Sequence, residues 1–332
     1  MKYLCALMLP VFCSLMTCVL CLKLGAFNVK TFGPSKSSKG EVMEVLAKIA
    51  VRYDILLVQE IRDPDQKAIL KLQDRIWSDH GIKMNLITSD RLGRTRYKEQ
   101  YAFLYREDRG ISVLDSYHFD DGDESSGDDL FMREPFIVRF QASNCEVTDF
   151  TLVAMHASTT GTVKELTDLS EVVLDIQQTW KTLDIMILGD LNADCNYVAK
   201  KAWPGIGLRQ DPEFWWPIDD NVDTTVRQST DCAYDRFVVS GESLQGAVVP
   251  GTAKPFNFQE KYRMTEAEAL KVSDHYPIEL ELRERYERGS SPANNGDEAS
   301  RASGHTGIVE TLRHIFQGIL GSFSRQKPGS EL

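Results

Sequence analysis

Ile185-Met186-Ile187-Leu188-Gly189-Asp190-Leu191-Asn192 is the stretch on which the fold turns. Its first four residues put apolar side chains on both faces of an extended chain, so a strand here must be covered on both sides. Ile55-Leu56-Leu57-Val58 reads the same way. Working outward, β-branched and aromatic residues or apolar–polar alternation mark strands at 23–29, 54–60, 101–105, 136–140, 150–156, 185–190, 235–239 and 277–282. Amphipathic helices lie between them. Val42, Val45, Leu46 and Ile49 share one helical face, as do Leu166, Leu169, Val173, Ile176 and Trp180. This pattern predicts sheets sandwiched between helix layers in one domain.

Polar residues then sit where these strands end. Asn28 lies near the end of the first strand, Glu60 closes the run 55–58, and His156 ends 150–155. Asp190 and Asn192 follow 185–188, and Asp274 and His275 directly precede the last strand. One carboxylate at a strand end is usually a solvated turn residue. Seven such residues on five strands point to a site assembled at one edge. Their oxygens suit a hard cation such as Mg²⁺ or Mn²⁺. Histidines beside acids suit proton transfer near neutral pH. Together these are the requirements of phosphodiester hydrolysis. The other four of the six histidines, His80, His118, His305 and His314, read as surface residues in loops or the tail.

Composition bounds this reading. The chain has 332 residues, 42% hydrophobic and 26% charged, which is ordinary for a globular protein. Its net charge of −11 gives no electrostatic footprint for nucleic acid, so any such partner must be met by local charge. Lys2 and the apolar run from Tyr3 to Leu22 read as a secretory signal, residues 1–21, with Cys18 and Cys21 near the cut. The run also approaches the ~20 residues that span a bilayer. Cleavage is the expectation, because the next residues resemble a first strand and leave no stalk. Four of the seven cysteines fall in the signal. Cys145, Cys195 and Cys232 remain, which fits one disulfide and one spare thiol in an exported chain. After residue 283 the chain turns Ser-, Gly-, Asn- and Ala-rich, a flexible linker. Ile308, Val309, Leu312, Ile315, Phe316, Ile319, Leu320 and Phe323 then mark a short amphipathic helix. One reading lays residues 307–323 on a lipid surface. The preferred one docks them on the domain or leaves them unstructured.

The segments Lys-Leu-Gly-Ala-Phe-Asn (23–28), Gln59-Glu60, Tyr97-Lys98-Glu99-Gln100-Tyr101, Arg133-Glu134-Pro135-Phe136, Gly189-Asp190-Leu191-Asn192, Cys232-Ala233-Tyr234-Asp235-Arg236 and Ser273-Asp274-His275-Tyr276-Pro277 resemble, in order, the motifs of the deoxyribonuclease I family. Gly-Asp-x-Asn and Ser-Asp-His are shared across the wider endonuclease/exonuclease/phosphatase superfamily. Tyr-Lys-Glu-Gln-Tyr and Cys-Ala-Tyr-Asp-Arg narrow the match. Arg91-Leu92-Gly93-Arg94, Tyr101-Ala102-Phe103-Leu104-Tyr105 and Thr-Glu-x-Glu-Ala-Leu ending at Leu270 look closest to deoxyribonuclease gamma. The resemblance implies a four-layer α/β sandwich over 22–283, two packed, mainly antiparallel sheets flanked by helices, with 284–332 as linker and tail.

It also implies roles. Glu60 would be the principal metal ligand, with Asn28, Asp190, Asn192 and Asp274 holding metal and phosphate. His156 with Glu99, and His275 with Asp235, would be the acid–base pairs, leaving open which activates water. Arg62, Arg94, Tyr97 and Arg133 would contact double-stranded DNA through phosphates and the minor groove, whose code is degenerate. Cys195 and Cys232 would form the core disulfide, leaving Cys145 free. The acidic loop 120–129 reads either as a solvated loop or as a structural Ca²⁺ site on Asp121 and Asp129. It lacks a small disulfide of some relatives, which would raise its dependence on Ca²⁺. A second Ca²⁺ site would use Asp223, Thr225 and Thr230. The chain departs from the family at Ala157-Ser158-Thr159, which lacks a usual proline and implies a looser loop. Thr95-Arg96-Tyr97 adds a charge near the DNA-contacting turn. The expected product is a secreted, monomeric endonuclease acting on DNA or chromatin, with actin binding left open. The rivals are a superfamily phosphodiesterase acting on RNA, abasic DNA or a phospholipid head group, and a binding module that lost its chemistry. All seven of Glu60, Glu99, His156, Asp190, Asp235, Asp274 and His275 are present, which weighs against the last.

Overall fold

The computed structural model describes residues 21–122 and 129–285, which fall in one compact unit. The rest of the expected signal, residues 123–128 of the acidic loop, the linker and the segment 307–323 lie outside the described residues.

The strands are β1 (Cys21–Phe32), β2 (Ile55–Ile61), β3 (Asn85–Thr88), β4 (Gln100–Tyr105), β5 (Ile111–His118), β6 (Phe136–Ala142), β7 (Asp149–Ala154), β8 (Ile185–Asp190), β9 (Asp235–Ser240), β10 (Lys254–Pro255) and β11 (Ile278–Arg283). They form a six-stranded sheet in the order β10-β11-β1-β2-β4-β3 and a five-stranded sheet in the order β5-β6-β7-β8-β9. Pairing is antiparallel except β1 with β2 and β7 with β8. The eight expected strands are all present with ends moved by a few residues. Three were not foreseen. β3 is half-buried throughout, and β5 carries Ser112, Asp115 and Ser116 with an irregularity between Val113 and Asp115, so neither shows clean alternation. β10 is two residues long and contains a proline.

The doubly apolar strands sit in the middle of four layers. Ile55 and Leu57 point into the core between the sheets, while Leu56 and Val58 pack under the helices Gly40–Ala50 and Lys67–His80. Met186 and Leu188 likewise face the inter-sheet core, and Ile185 and Ile187 face the helix Thr162–Trp180. Each strand therefore buries both faces, which is why it carries no polar alternation. The result is the expected α/β sandwich. Among the described residues no helix is long and apolar enough to cross a membrane.

Two local devices aim the chain at the site. The helix Glu266–Val272 opens on a capping box between Thr265 and Glu268 and ends at Ser273, delivering Asp274 and His275 directly behind it. Gly189 has φ +127°, and a Cβ there would lie 2.5 Å from the Met155 carbonyl oxygen and 2.6 Å from Gln59 Nε2. Only glycine lets the ends of β2, β7 and β8 approach so closely.

Candidate active site

Asn28 pairs in register with Gln59, and Asp190 with Asp235, so both sheets offer polar strand ends on one rim. The backbone departs from strand geometry there. Lys30, Thr31, Glu60 and Asn192 all have φ between 47° and 57° without being glycine, and both β1 and β2 slip register around them. Such conformations cost free energy and persist only where surrounding contacts enforce them. Here they turn Glu60 toward Asn28. The Asn28 amide Nδ2 donates to Glu60 Oε1 and to Asp190 Oδ2, both at 3.0 Å, joining the sheets through one side chain. Gln59 adds a second clasp. Its Nε2 donates to the Met155 carbonyl at 2.7 Å, and its Oε1 accepts from Asp190 N at 2.9 Å.

Two histidines face this rim, each oriented by its own acid. His156 Nδ1 lies 2.9 Å from Glu99 Oε2, and His275 Nδ1 lies 2.8 Å from Asp235 Oδ2. Their Nε2 atoms converge on one oxygen, Asp190 Oδ2, at 3.4 and 3.6 Å. Burial alone would raise the Glu99 carboxyl, but the hydrogen bond to His156, with His156, Arg133 and Arg62 charge, holds it at about 2. Burial alone would lower His275, yet Asp235 and Asp190 lift it to about 10. Asp235 is further fixed by the buried Thr224 hydroxyl at 2.8 Å.

Glu60, Asp190 and Asp274 line the rim with Lys30, which pairs with Asp274. Burial raises the Asp274 carboxyl, but His275 and Lys30 together hold it below the ordinary value. Asp190, Asp235 and His275 also bring donor atoms within 4.8 Å of one another. Asp235 pairs with His275 through Oδ2 and leaves its buried Oδ1 without a partner, whereas the Asn28 oxygen accepts from Lys30 N and Asp274 pairs with Lys30. Carboxylate oxygens such as those of Asp190 and Asp235 are donors that a hard divalent cation takes. The Asn192 side-chain amide donates to the Ala157 carbonyl at 2.9 Å, and its backbone N–H donates to Asp190 Oδ1 at 3.0 Å.

The expected DNA-contacting residues are placed unequally. Tyr97 is 76% exposed, with the Arg62 guanidinium 5.4 Å from its ring centre. Arg62 also reaches Glu99 Oε1 at 3.0 Å. Arg133 is mostly covered. It donates to the His156 carbonyl at 3.0 and 3.1 Å and lies 3.6 Å from Glu99. Arg94 donates Nε to Asp129 Oδ2 at 2.6 Å, joining a residue expected on DNA to one expected on Ca²⁺.

Of the expected Ca²⁺ ligands, Asp121 accepts from Leu130 N and Phe131 N, and burial with Asp129 and Glu134 nearby pushes its carboxyl up to about 6. Asp223 Oδ1 accepts from Thr225 Oγ1 at 2.7 Å, which in turn lies 2.7 Å from Thr230 Oγ1, so that trio converges. Cys195 and Cys232 form a disulfide, and Cys145 is free and buried.

Three features differ from expectation. His118 is not a loop residue: it ends β5, stacks on Phe136 at 5.1 Å and accepts from Asp90 N at 3.1 Å. His80 ends the helix Lys67–His80 rather than lying in a loop. The loop after His156 is held despite lacking proline, because Glu165 accepts from Ser158 N at 2.8 Å and Met132 N at 2.9 Å. Sequence reasoning also passed over Lys30, Gln59 and Thr224 as positioning groups. Gln59 stood inside a quoted motif, but Thr224 and Lys30 carry no local signal.

The chain has relatives among known proteins. A family model described as "Endonuclease/Exonuclease/phosphatase family" matches residues 25–275, and the chain belongs to that family. Within it the chain sits with the deoxyribonuclease I family. Deoxyribonuclease-1 of Equus caballus is 46% identical over 269 residues, covering 81% of this chain and 95% of that protein. Deoxyribonuclease gamma of Homo sapiens is 45% identical over 265 residues, covering 79% and 86%. These identities do not set the gamma form apart from deoxyribonuclease-1. Among solved structures, an endonuclease/exonuclease/phosphatase from Bacteroides vulgatus superposes with a TM-score of 0.54 at 15% identity, over 80% of this chain and 100% of that one. A humanized D. rerio TDP2 gives 0.53 at 15%, over 79% and 99%. Those two likenesses are of fold alone.

Proposed function

We propose that this protein is a secreted, metal-dependent endonuclease that hydrolyses phosphodiester bonds of double-stranded DNA with little sequence preference. One observation carries the reading: two histidines, each held at Nδ1 by a separate carboxylate, present Nε2 to the same Asp190 oxygen at 3.4 and 3.6 Å. Hydrolysis needs a group that takes a proton from water as its oxygen attacks phosphorus. It needs another that gives a proton to the leaving oxygen as the P–O bond breaks. His156 and His275 supply both from opposite sides of one rim, each step contributing on the order of 10²–10⁴-fold. Glu99 and Asp235 fix the tautomers and stabilise the imidazolium forms.

Glu60, Asn28, Asp190, Asn192 and Asp274 would hold Mg²⁺ or Mn²⁺, which when bound stabilises negative charge on the phosphate. Arg62 and Tyr97 stand at the exposed margin as DNA contacts. Arg133 acts from beneath, through the His156 carbonyl. Arg94 would contact phosphate in competition with its pairing to Asp129. Structural Ca²⁺ fits at Asp121 with Asp129, and at Asp223 with Thr225 and Thr230. The disulfide and the signal-like N-terminus support export.

Cleavage of supercoiled plasmid by purified residues 22–332, with Mg²⁺ and Ca²⁺, tests this. The expected outcome is nicking abolished by EDTA, with His156→Ala and His275→Ala each slower by at least ~10²-fold. Folded protein that leaves plasmid intact across divalent metals, yet cleaves RNA or a phospholipid head group, would overturn the DNA assignment.

A further inference from the structure

Lys36 lies on the short helical turn Pro34–Ser37 behind the rim, well away from the histidines in sequence. Its ammonium donates to three backbone carbonyls: Val29 O at 2.6 Å, Lys30 O at 2.6 Å and Val272 O at 2.7 Å. No carboxylate side chain pairs with it among the described residues. Burial pulls the amine down to about 8, so its charge is kept at a cost.

The carbonyls it grips matter because of what lies on the other side of their peptide planes. In a trans peptide the C=O and the following N–H point in opposite directions. The Val29 carbonyl shares its plane with Lys30 N–H, which donates to Asn28 Oδ1 at 2.8 Å. The Lys30 carbonyl shares its plane with Thr31 N–H, which donates to Glu60 Oε2 at 2.7 Å. These are also two of the residues with left-handed backbone, φ 50° and 54°. Gripping both carbonyls from behind aims both N–H groups forward at two of the rim's metal-binding side chains. The third carbonyl, Val272 O, immediately precedes Ser273. The Ser273 hydroxyl donates to Asn28 O at 2.6 Å, and Ser273 leads into Asp274 and His275.

We propose that Lys36 is a positioning residue of the metal centre: its ammonium clamps the strained 29–31 backbone and the 272 carbonyl so that Asn28, Glu60 and Asp274 are presented as one cation-binding set. It touches neither substrate nor cation. The inference rests on reading Glu60 and its neighbours as the cation ligands.

The test is Mn²⁺ binding to the full chain by calorimetry, alongside plasmid-nicking kinetics and thermal melting, for wild type, Lys36→Met and Lys36→Arg. Lys36→Met keeps the stem and removes the donor. Its Mn²⁺ dissociation constant should rise at least about tenfold, the scale of a lost charge-assisted hydrogen bond. Its kcat should fall while KM for plasmid stays within about twofold, and Lys36→Arg should regain part of both losses. A folded Lys36→Met with wild-type Mn²⁺ affinity and kcat overturns the proposal, as does one that only melts earlier. Should Lys36→Met not fold, amide exchange in wild type decides: Lys30 and Thr31 N–H groups should exchange slowly, and exchange at unprotected rates overturns the clamp. Because Mn²⁺ binding is read independently of nicking, a wild type that binds Mn²⁺ but spares DNA would refute the nuclease reading and leave this one standing on its own data.

Discussion

Replacing Glu99 by glutamine removes one charge from the centre of the His156 pair while keeping its shape. Glu99 is 5% exposed and carries three contacts: His156 Nδ1 at 2.9 Å, Arg62 at 3.0 Å and Arg133 at 3.6 Å. Its carboxyl is held at about 2 against an ordinary 4.5. At 1.36 kcal/mol per unit this corresponds to about 3 kcal/mol favouring the folded, ionised state. The folded value is the depressed one, so the contribution is fully present above about pH 4.5 and is lost as pH falls through about 2. Glu99→Gln should therefore unfold about 2–3 kcal/mol more easily in urea at pH 7, since it leaves Arg62 and Arg133 without their anion. The gap between wild type and variant should narrow to roughly half by pH 3. Plasmid nicking at pH 7 should drop by about 10²–10⁴-fold, because a neutral amide neither stabilises the imidazolium nor fixes one tautomer. An equal urea midpoint with an equal nicking rate would refute the reasoning. A stability gap that stays constant from pH 7 to pH 3 would refute the electrostatic part of it.

Two further outcomes concern the disulfide and Ca²⁺. The Cys195–Cys232 bond spans 37 residues, and loop-closure entropy puts its loss at about 4 kcal/mol. Cys195→Ser with Cys232→Ser should lower the urea midpoint accordingly, and an unchanged midpoint would show that the loop is ordered without its crosslink. Ca²⁺ at a hundredfold excess over its dissociation constant should add about 2.7 kcal/mol per occupied site by mass action. The gain in melting temperature on replacing EGTA by Ca²⁺ should vanish in Asp121→Asn with Asp223→Asn, and an identical gain in that variant would place Ca²⁺ elsewhere.

How much of this was legible before the structure depends on where each interaction is encoded. Burial on both faces is a local property of a strand, so Ile55–Val58 and Ile185–Leu188 announced the layered sheets directly, and the polar residues closing them announced the rim. β5 was silent because its burial is partial and its alternation is broken by an irregularity. The acid partners of the histidines are 57 and 40 residues away in sequence, and only the family resemblance linked them. The same resemblance assigned Arg94 to DNA and Asp129 to Ca²⁺ separately, whereas the fold pairs them. Each role must now be read as a competition for one partner.

The least legible contacts are those made to backbone. Lys36, Thr224 and Gln59 act on carbonyls, N–H groups or a single carboxylate oxygen, and such bonds leave no spacing or composition to detect. Yet they govern how the legible residues are held. Four non-glycine residues at the rim carry left-handed backbone that a free chain would leave. Contacts from behind the rim must oppose that relaxation. The motif residues define the reaction's chemistry. The geometry in which that chemistry works is set by side chains such as Lys36, whose function lies wholly in the peptide planes they orient.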